Sequence, residues 1–430
     1  MPIKLLAVGD LHLGSRPGRL PSGLVHDNAE LGPAGAWQRI IELAEHESVT
    51  AVLLAGDVVE AQHDFFEALP LLRSGITRLA QAGIRVLGVA GNHDGKVLPA
   101  LTERVAHFEL LGEGAQWQSA ELEADGERLT LWGWSFPDRF YRQDPTTAFP
   151  GRDTPHPTLG LLHCDLDQSD TAYAPVAASR LRDLGLDGWL LGHIHRPDAL
   201  SPSSLLGYLG TATGLDISEW GPRGPWLLSV QQGAIHTIEQ RVIAPLRWEH
   251  LIVDVTEADS AQAITDRLTD ALEALAADLS NCTRQPDAVG LRVRYTGTSD
   301  LPDTAFPERL GDQATAPLPG AAHIPAFIES IRIEVLPPVS LTALARREDH
   351  PGLLARRLLV LDRPSADPER QALLEAADEV VQQATATGSW RRLTTRRADT
   401  ASPDSEVIAE WLRQAALKAL RAMLAQRDSA

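Results

Sequence analysis

The chain is predicted to fold as an α/β layered domain over residues 1–245, a small α+β domain over 246–338 and a helical region over 339–430. Three observations predict this. Short apolar runs alternate with helical stretches in the first part, which is the signature of an α/β layered domain. Those runs are apolar without in–out alternation, as strands buried on both faces are. The texture then changes at Pro245 and again at Pro337–Pro338.

Taken in order, the predicted strands are Ile3–Val8, Thr50–Ala55, Arg85–Ala90, Thr158–Leu162, Gly188–Leu191, Leu205–Leu209 and Trp226–Val230, each bounded by Gly, Asp or Pro. Helices are predicted between them at Ala34–Glu47 and Phe65–Gln81. Beyond Pro245, Arg247–Val255 reads as a strand. Asp259–Leu279 reads as a helix with Ile264, Leu268, Leu272 and Leu275 on one face and Asp259 or Ser260 as N-cap. Leu291–Tyr295 and Phe327–Leu336 alternate like strands, and the Pro- and Gly-rich stretch Thr298–Pro325 is predicted irregular. From Ser340 the sequence is helical and Arg-rich, interrupted near Thr394–Pro403, and ends in a helix over Glu406–Gln426.

Composition narrows the function. At 430 residues the chain exceeds the ~100–200 of one domain. With 43% hydrophobic and 23% charged residues it reads as globular, neither disordered nor collagen-like. No apolar run approaches the ~18–20 residues of a membrane span. Met1 to Gly9 reaches Asp10 and His12 too soon for a secretory signal. Two cysteines, Cys164 and Cys282, do not make a disulfide framework. These features predict a cytoplasmic protein with no membrane partner. The net charge of −19 opposes a generic nucleic-acid binder at long range. It leaves DNA open, because metal ions can neutralise a local acidic site and a partner subunit can supply basic surface.

The chemistry lies in five motifs: Asp10-Leu11-His12, Gly56-Asp57, Gly91-Asn92-His93-Asp94, His163 and Gly192-His193-Ile194-His195. Each sits where a predicted apolar strand ends, and strand carboxyl ends line the ligand crevice of open α/β sheets. Five ends would bring Asp10, His12, Asp57, Asn92, His93, His163, His193 and His195 to one region. Carboxylate, amide oxygen and imidazole suit Mn²⁺, Fe²⁺ or Zn²⁺. Eight such groups are too many for one ion and suit two, with Asp57 the natural bridge. Any one motif is common by chance; five in order, each after a strand, are not. Cys164 beside His163 is turned away by alternation and reads as a packing residue.

The set GDLHLG, AGDVVE, GNHD, LLHCD and GHIH resembles the calcineurin-like metallophosphoesterase family. Within it the chain is similar to the DNA-repair exonuclease branch, of SbcD and especially YhaO type. The stretch YLGTATGLDISEWGPRG (Tyr208–Gly224), LRWEHLIVDV and LARREDHPGLL carry the finer likeness. The resemblance implies two mixed β-sheets face to face between helices, a four-layer αββα sandwich. It implies a first metal held by Asp10, His12, Asp57 and His195, and a second held by Asp57, Asn92, His163 and His193. His93 would contact the scissile phosphate and stabilise or protonate the leaving oxygen, and Asp94 would orient His93. The metal would be Mn²⁺.

The resemblance further implies a DNA exonuclease/endonuclease of DNA repair, hydrolysing phosphodiester bonds with a water activated by two metal ions. Residues 246–338 would cap the site and select DNA ends. Residues 339–430 would dock an SMC-like ABC ATPase subunit of the SbcC/YhaN type. This chain lacks a Gly-x-x-x-x-Gly-Lys-Ser/Thr loop, so ATP dependence would come from that partner. Amphipathic helices at 62–82 and 99–112 would form a homodimer, with Phe65, Phe66, Leu69 and Leu72 as interface or core. The runner-up is a metallophosphoesterase acting on small phosphoesters such as cyclic nucleotides. The complete ligand set argues against an inactive scaffold. The chain departs from its branch at Leu209, Thr211 and Glu60; some members carry a substrate-contacting His at the last position.

Overall fold

The computed structural model describes residues 2–22, 24, 28–60, 65–152, 154–310, 314–336, 340–385 and 405–425. In chain order the first strands are β1 (Ile3–Val8), β2 (Ala51–Ala55), β3 (Arg85–Val89), β4 (Phe108–Leu110), β5 (Trp117–Ala124), β6 (Glu127–Trp134), β7 (Thr158–His163), β8 (Asp165–Leu166) and β9 (Pro175–Val176). There follow β10 (Gly188–Gly192), β11 (Leu206–Tyr208), β12 (Trp226–Gln231), β13 (Ala234–Gln240), β14 (Leu246–Asp254), β15 (Ala288–Thr298), β16 (Ala316–Leu318) and β17 (Ala321–Leu336).

Two mixed sheets form the N-terminal part. One has the order β13-β12-β1-β2-β3-β4, the other β11-β10-β7-β6-β5. Strands β1 to β4 are parallel, with β12 antiparallel to β1. Strands β6, β7, β10 and β11 are parallel, with β5 antiparallel to β6. Side chains alternate across each strand. Leu5, Leu53 and Leu87 of the first sheet pack on Leu131, Leu161 and Leu190 of the second. Leu6, Val52 and Val86 face the other way, onto Trp37 and Ile40 of α1 (Pro33–Glu47) and Leu72 of α2 (Phe65–Gln81). Behind the second sheet, Trp134, Leu162 and Leu191 pack with Leu181 of the short helix Ala178–Asp183. The αββα sandwich expected from the sequence is the observed architecture. Each strand is apolar on both faces because both faces are covered; full burial of each such side chain contributes roughly 1.5–3 kcal/mol.

The structure corrects several elements. Residues 99–112 are not one helix: Val97–Thr102 is helical, and Phe108–Leu110 then pairs in parallel with β3. The open edge of β3 takes that segment, overriding helical periodicity. No strand was predicted over Trp117–Trp134, yet β5 and β6 form a hairpin there. Its turn is Asp125-Gly126, both at positive φ (49° and 84°), as a two-residue type I′ turn requires. In the stretch predicted irregular, Ala316–Leu318 pairs antiparallel with β17. Leu72 is fully buried core and Leu69 packs against it, whereas Phe66 is 82% exposed. The side chain of Phe65, the histidine at 26 and the predicted interruption at 394–403 lie outside the described residues.

A third sheet has the order β14-β15-β17-β16, accompanied by the helix Ala261–Leu279, which Ser260 caps through Ala263 N. By contacts the chain divides into two compact units: Met1–Val253 with Thr265–Arg294 and Pro307–Arg332, and Asp254–Ile264 with Tyr295–Phe306 and Ile333–Ala430. The second unit contains the helices His350–Leu361, Pro368–Thr385 and Ser405–Ala425. Leu358, Leu361, Leu374, Ile408 and Leu420 form its small core. No helix among the described residues is long and apolar enough to cross a membrane.

Candidate metal centre

All five motifs lie at carboxyl ends of strands in the two facing sheets. Asp10 and His12 follow β1, Asp57 follows β2, Asn92 and His93 follow β3, His163 is the last residue of β7, and His193 and His195 follow β10. Four of these residues have positive φ: Asp10 (29°), His12 (50°), Asp57 (46°) and His193 (105°). Such backbone costs roughly 1–3 kcal/mol per non-glycine residue and persists only where the surroundings enforce it.

The enforcing bonds are present. His12 N donates to Asp57 O (2.9 Å) and Leu13 N to Val58 O (2.8 Å), tying the first loop to the second. His193 N donates to Asp10 Oδ1 (2.9 Å), and His93 N to Asp57 Oδ1 (2.9 Å). Thr211 N donates to His195 O (2.9 Å), and the buried Arg223 guanidinium donates to the same carbonyl. Close approach also demands glycine: a Cβ at Gly91 would collide with Asp57, and one at Gly192 with the Ala55 carbonyl.

The side chains converge. Asp10, His12 and His195 offer atoms within 4.8 Å of one another, as do Asp10, Asp57 and His163. His12 Nε2 faces His195 Nε2 at 3.1 Å. Asn92 Oδ1 lies 2.9 Å from His163 Nε2 and 3.0 Å from His193 Nδ1, and Asp57 Oδ2 lies 3.3 Å from His163 Nε2. The outer nitrogens are held from behind: His163 Nδ1 by Ala55 O (3.1 Å), His193 Nε2 by Asp165 (3.1 Å) and His195 Nδ1 by Glu219. A carboxylate or carbonyl behind an imidazole fixes its tautomer and aims the other nitrogen inward.

Charge is concentrated here. Burial opposes a charged His12, but Glu60, Asp57 and Asp10 outweigh it and raise its pKa to about 9. Burial likewise opposes a charged His163, and Asp57 and Asp10 raise it to about 9. Burial resists ionisation of Asp57, yet the charge of His163, with His12, holds it well below the usual carboxylate range. Buried Asp10 Oδ2 finds no hydrogen-bond partner among the described residues. An orphaned carboxylate oxygen beside imidazoles drawn towards protonation is a site that favours cations. Oxygen and nitrogen donors without thiolate fit divalent first-row ions.

The structure thus gathers Asp10, His12, Asp57, Asn92, His163, His193 and His195 into one cluster, with His93 at its margin against His12 (ring centroids 5.4 Å). Asp94 is placed otherwise than expected. It is fully buried, and its carboxylate accepts from Gly91 N (2.7 Å), Val58 N (2.7 Å) and Val59 N (3.2 Å). It therefore ties two loops together by their backbone. Burial and the charge of Asp57 raise its carboxyl to about 7 against those donors. The carboxylate at the His93 ring is Glu60, 3.0 Å from Nδ1. Cys164 is fully buried in the core behind the second sheet.

Sequence reasoning missed the supporting roles of Glu219 and Asp165. Asp165 had a signal, since it lies two residues beyond His163 on an extended segment. Glu219 lay inside the quoted Tyr208–Gly224 stretch, but nothing local assigns it to His195.

Comparison with known proteins agrees with this geometry. Residues 3–197 match the calcineurin-like phosphoesterase family, and residues 248–335 match the middle domain of metallophosphoesterase YhaO. The chain is 30% identical over 248 residues to the uncharacterized metallophosphoesterase YhaO of Bacillus subtilis, covering 55% of this chain and 59% of that protein. It is 26% identical over 330 residues to the DNA double-strand break repair protein Mre11 of Halobacterium salinarum, covering 73% and 76%. Solved structures similar to it include a dimetal phosphatase from Danio rerio (13% identity, TM-score 0.35, 54% of this chain and 94% of that one). Another is the calcineurin-like phosphoesterase YfkN of Bacillus subtilis (14%, 0.32, 56% and 90%).

Proposed function

We infer that this chain, whose residues 3–197 are a calcineurin-like phosphoesterase domain followed at 248–335 by a YhaO-type middle domain, is a phosphodiesterase that cuts DNA in repair. The observation that carries the reading is the convergence of seven metal-type side chains on one point, with Asp10 Oδ2 buried and unsatisfied among the described residues. The likeness to a repair protein over 73% of this chain supports DNA as the substrate. The charge of −19 favours the second reading, small phosphoesters.

Asp10, His12, Asp57 and His195 would hold one divalent ion, and Asp57, Asn92, His163 and His193 the other, both Mn²⁺. Bound there, the ions would supply a nucleophilic water and neutralise the phosphate charge. The protein's own part is to hold those ligands without reorganisation, through the carboxylates and carbonyls behind each imidazole. His93 stands half-exposed beside the cluster, where a phosphodiester would lie, and would give the leaving oxygen a proton. Residues 246–338 would form the cap that selects DNA ends. The helices of 339–430 would dock an SMC-like ABC ATPase, and α2, with exposed Phe66, would take part in a homodimer.

The test is a nuclease assay with Mn²⁺ on linear double- and single-stranded DNA, beside a small phosphodiester and a phosphomonoester. His93→Ala should retain metal and lose about 10²- to 10⁴-fold in turnover. DNA cleavage abolished by that variant supports the reading. Turnover of small esters alone, with an ATPase partner present, replaces it with the second.

A further inference from the structure

Glu60 stands in the loop after β2 and is not among the ligands of either proposed ion. Its carboxylate lies between two imidazoles, with Oε2 2.6 Å from His12 Nδ1 and Oε1 3.0 Å from His93 Nδ1. The Glu60 carbonyl oxygen is a further 3.2 Å neighbour of His93 Nδ1. Backbone and side chain of one residue therefore close on one edge of the His93 ring. Asp94, next to His93 in sequence, has both carboxylate oxygens engaged by backbone N–H groups. Glu60 and His93 are about one-third exposed (32% and 37%), so a substrate phosphate can reach them.

We propose that Glu60 is the positioning residue of His93, orienting its ring and keeping a proton on Nδ1 so that Nε2 meets the leaving oxygen of the phosphodiester. This rests on the phosphodiesterase reading of the site. In the step, the P–O bond breaks and its electron pair stays on the leaving oxygen, which takes the Nε2 proton. Water gives phosphorus its new oxygen and releases one proton, and neutral His93 regains a proton from solvent. A carboxylate on the far nitrogen stabilises the imidazolium before transfer, as in other carboxylate–histidine pairs.

The substitution Glu60→Met keeps the volume and removes the acceptor; Glu60→Gln is a near-isosteric second choice should it fail to fold. Two diesters separate the roles. Thymidylyl-thymidine has an alkoxide leaving group that needs a proton, and bis(p-nitrophenyl) phosphate has one that does not. Either variant should keep full metal stoichiometry by calorimetry, with KM little changed. On the dinucleotide kcat should fall about 10- to 100-fold, the usual effect of losing a residue that orients a functional histidine. The nitrophenyl ester should be nearly unaffected, Glu60→Asp should restore part of the loss, and in a His93→Ala background the substitution should have no further effect.

Independently of activity, ¹⁵N-histidine NMR of the protein at about pH 8 should show His93 protonated at Nδ1 in the wild type and not in Glu60→Met. Equal losses on both diesters, loss of a bound ion, additivity with His93→Ala, or an unchanged Nδ1 proton would overturn the proposal. A wild type that hydrolyses neither diester defeats the phosphodiesterase reading instead, and the Nδ1 proton still decides whether Glu60 holds His93.

Discussion

At the carboxyl ends of β1, β2, β3, β7 and β10 the chain buries Asp10, His12, Asp57, Asn92 and His163 and holds some of them at positive φ. The helices between His350 and Ala425 bury mostly Leu, Ile and Ala. Arg370 is the exception; its guanidinium donates to Leu361 O (3.1 Å) and to both Glu406 oxygens (2.9 Å). In the first region each polar atom has a dictated neighbour. In the second, Val380 (64%), Leu353 (47%) and Trp411 (44%) stay exposed. Polar burial at strand ends demands one geometry and gives a reaction centre. An apolar helical core specifies packing loosely, and exposed apolar side chains of this size suit contact with another protein.

The sharpest way to break this contrast is Asp57→Ala. Asp57 touches His163 and receives His93 N, so its loss should release both ions and reduce activity to background. Two bound ions in that variant, counted by elemental analysis, would remove Asp57 from its bridging place. Glu219→Ala tests whether support from behind matters as much as the inward-facing atoms. Metal affinity should fall about 10- to 100-fold, read by calorimetric titration; unchanged affinity would make the His195 contact incidental.

Proton linkage sharpens the picture of the polar region. His12 and His163 hold protons up to about pH 9, and these must leave before an ion takes their nitrogens. Metal affinity should therefore rise with pH towards that value, by up to roughly tenfold per unit for each proton released. Folding stability in chelator should run the opposite way. The raised pKa values contribute fully below the unfolded value of about 6.5, and that contribution is lost as pH rises through about 9. Calorimetry and thermal melts across this range check both slopes, and a flat response in either would contradict the charge balance of the site.

The smallest effects belong to the helices. Leu420→Ala should destabilise them by about 2–5 kcal/mol, seen in thermal unfolding, without changing turnover. Trp411→Ala should stay within about 0.5 kcal/mol and weaken only capture of an ATPase partner. A drop in turnover with either would mean that the two regions are coupled.

Much of the sandwich was legible because its strands are continuous apolar runs ending in Gly, Asp or His. What was missed follows from non-local pairing. Phe108–Leu110 is a strand because β3 offers it an edge, and Trp117–Trp134 is a hairpin whose strands need β7 beside them. Asp125-Gly126 was the one local cue, and it was passed over. At the site, the ligand types and their order were readable, since chemistry limits which residues can hold a divalent ion. Their supports were not, because Glu219 reaches His195 across 24 positions and Glu60 reaches His93 across 33.

The sequence by itself determined the layered α/β class, the five strand-end motifs and the kind of ion they can hold, because periodicity and ligand chemistry are local properties. The tertiary structure decided which carboxylate serves which histidine. It gave Asp94 to the backbone of two loops and Glu60 to the ring of His93, since that choice depends on distances between loops that meet only after the two sheets have packed.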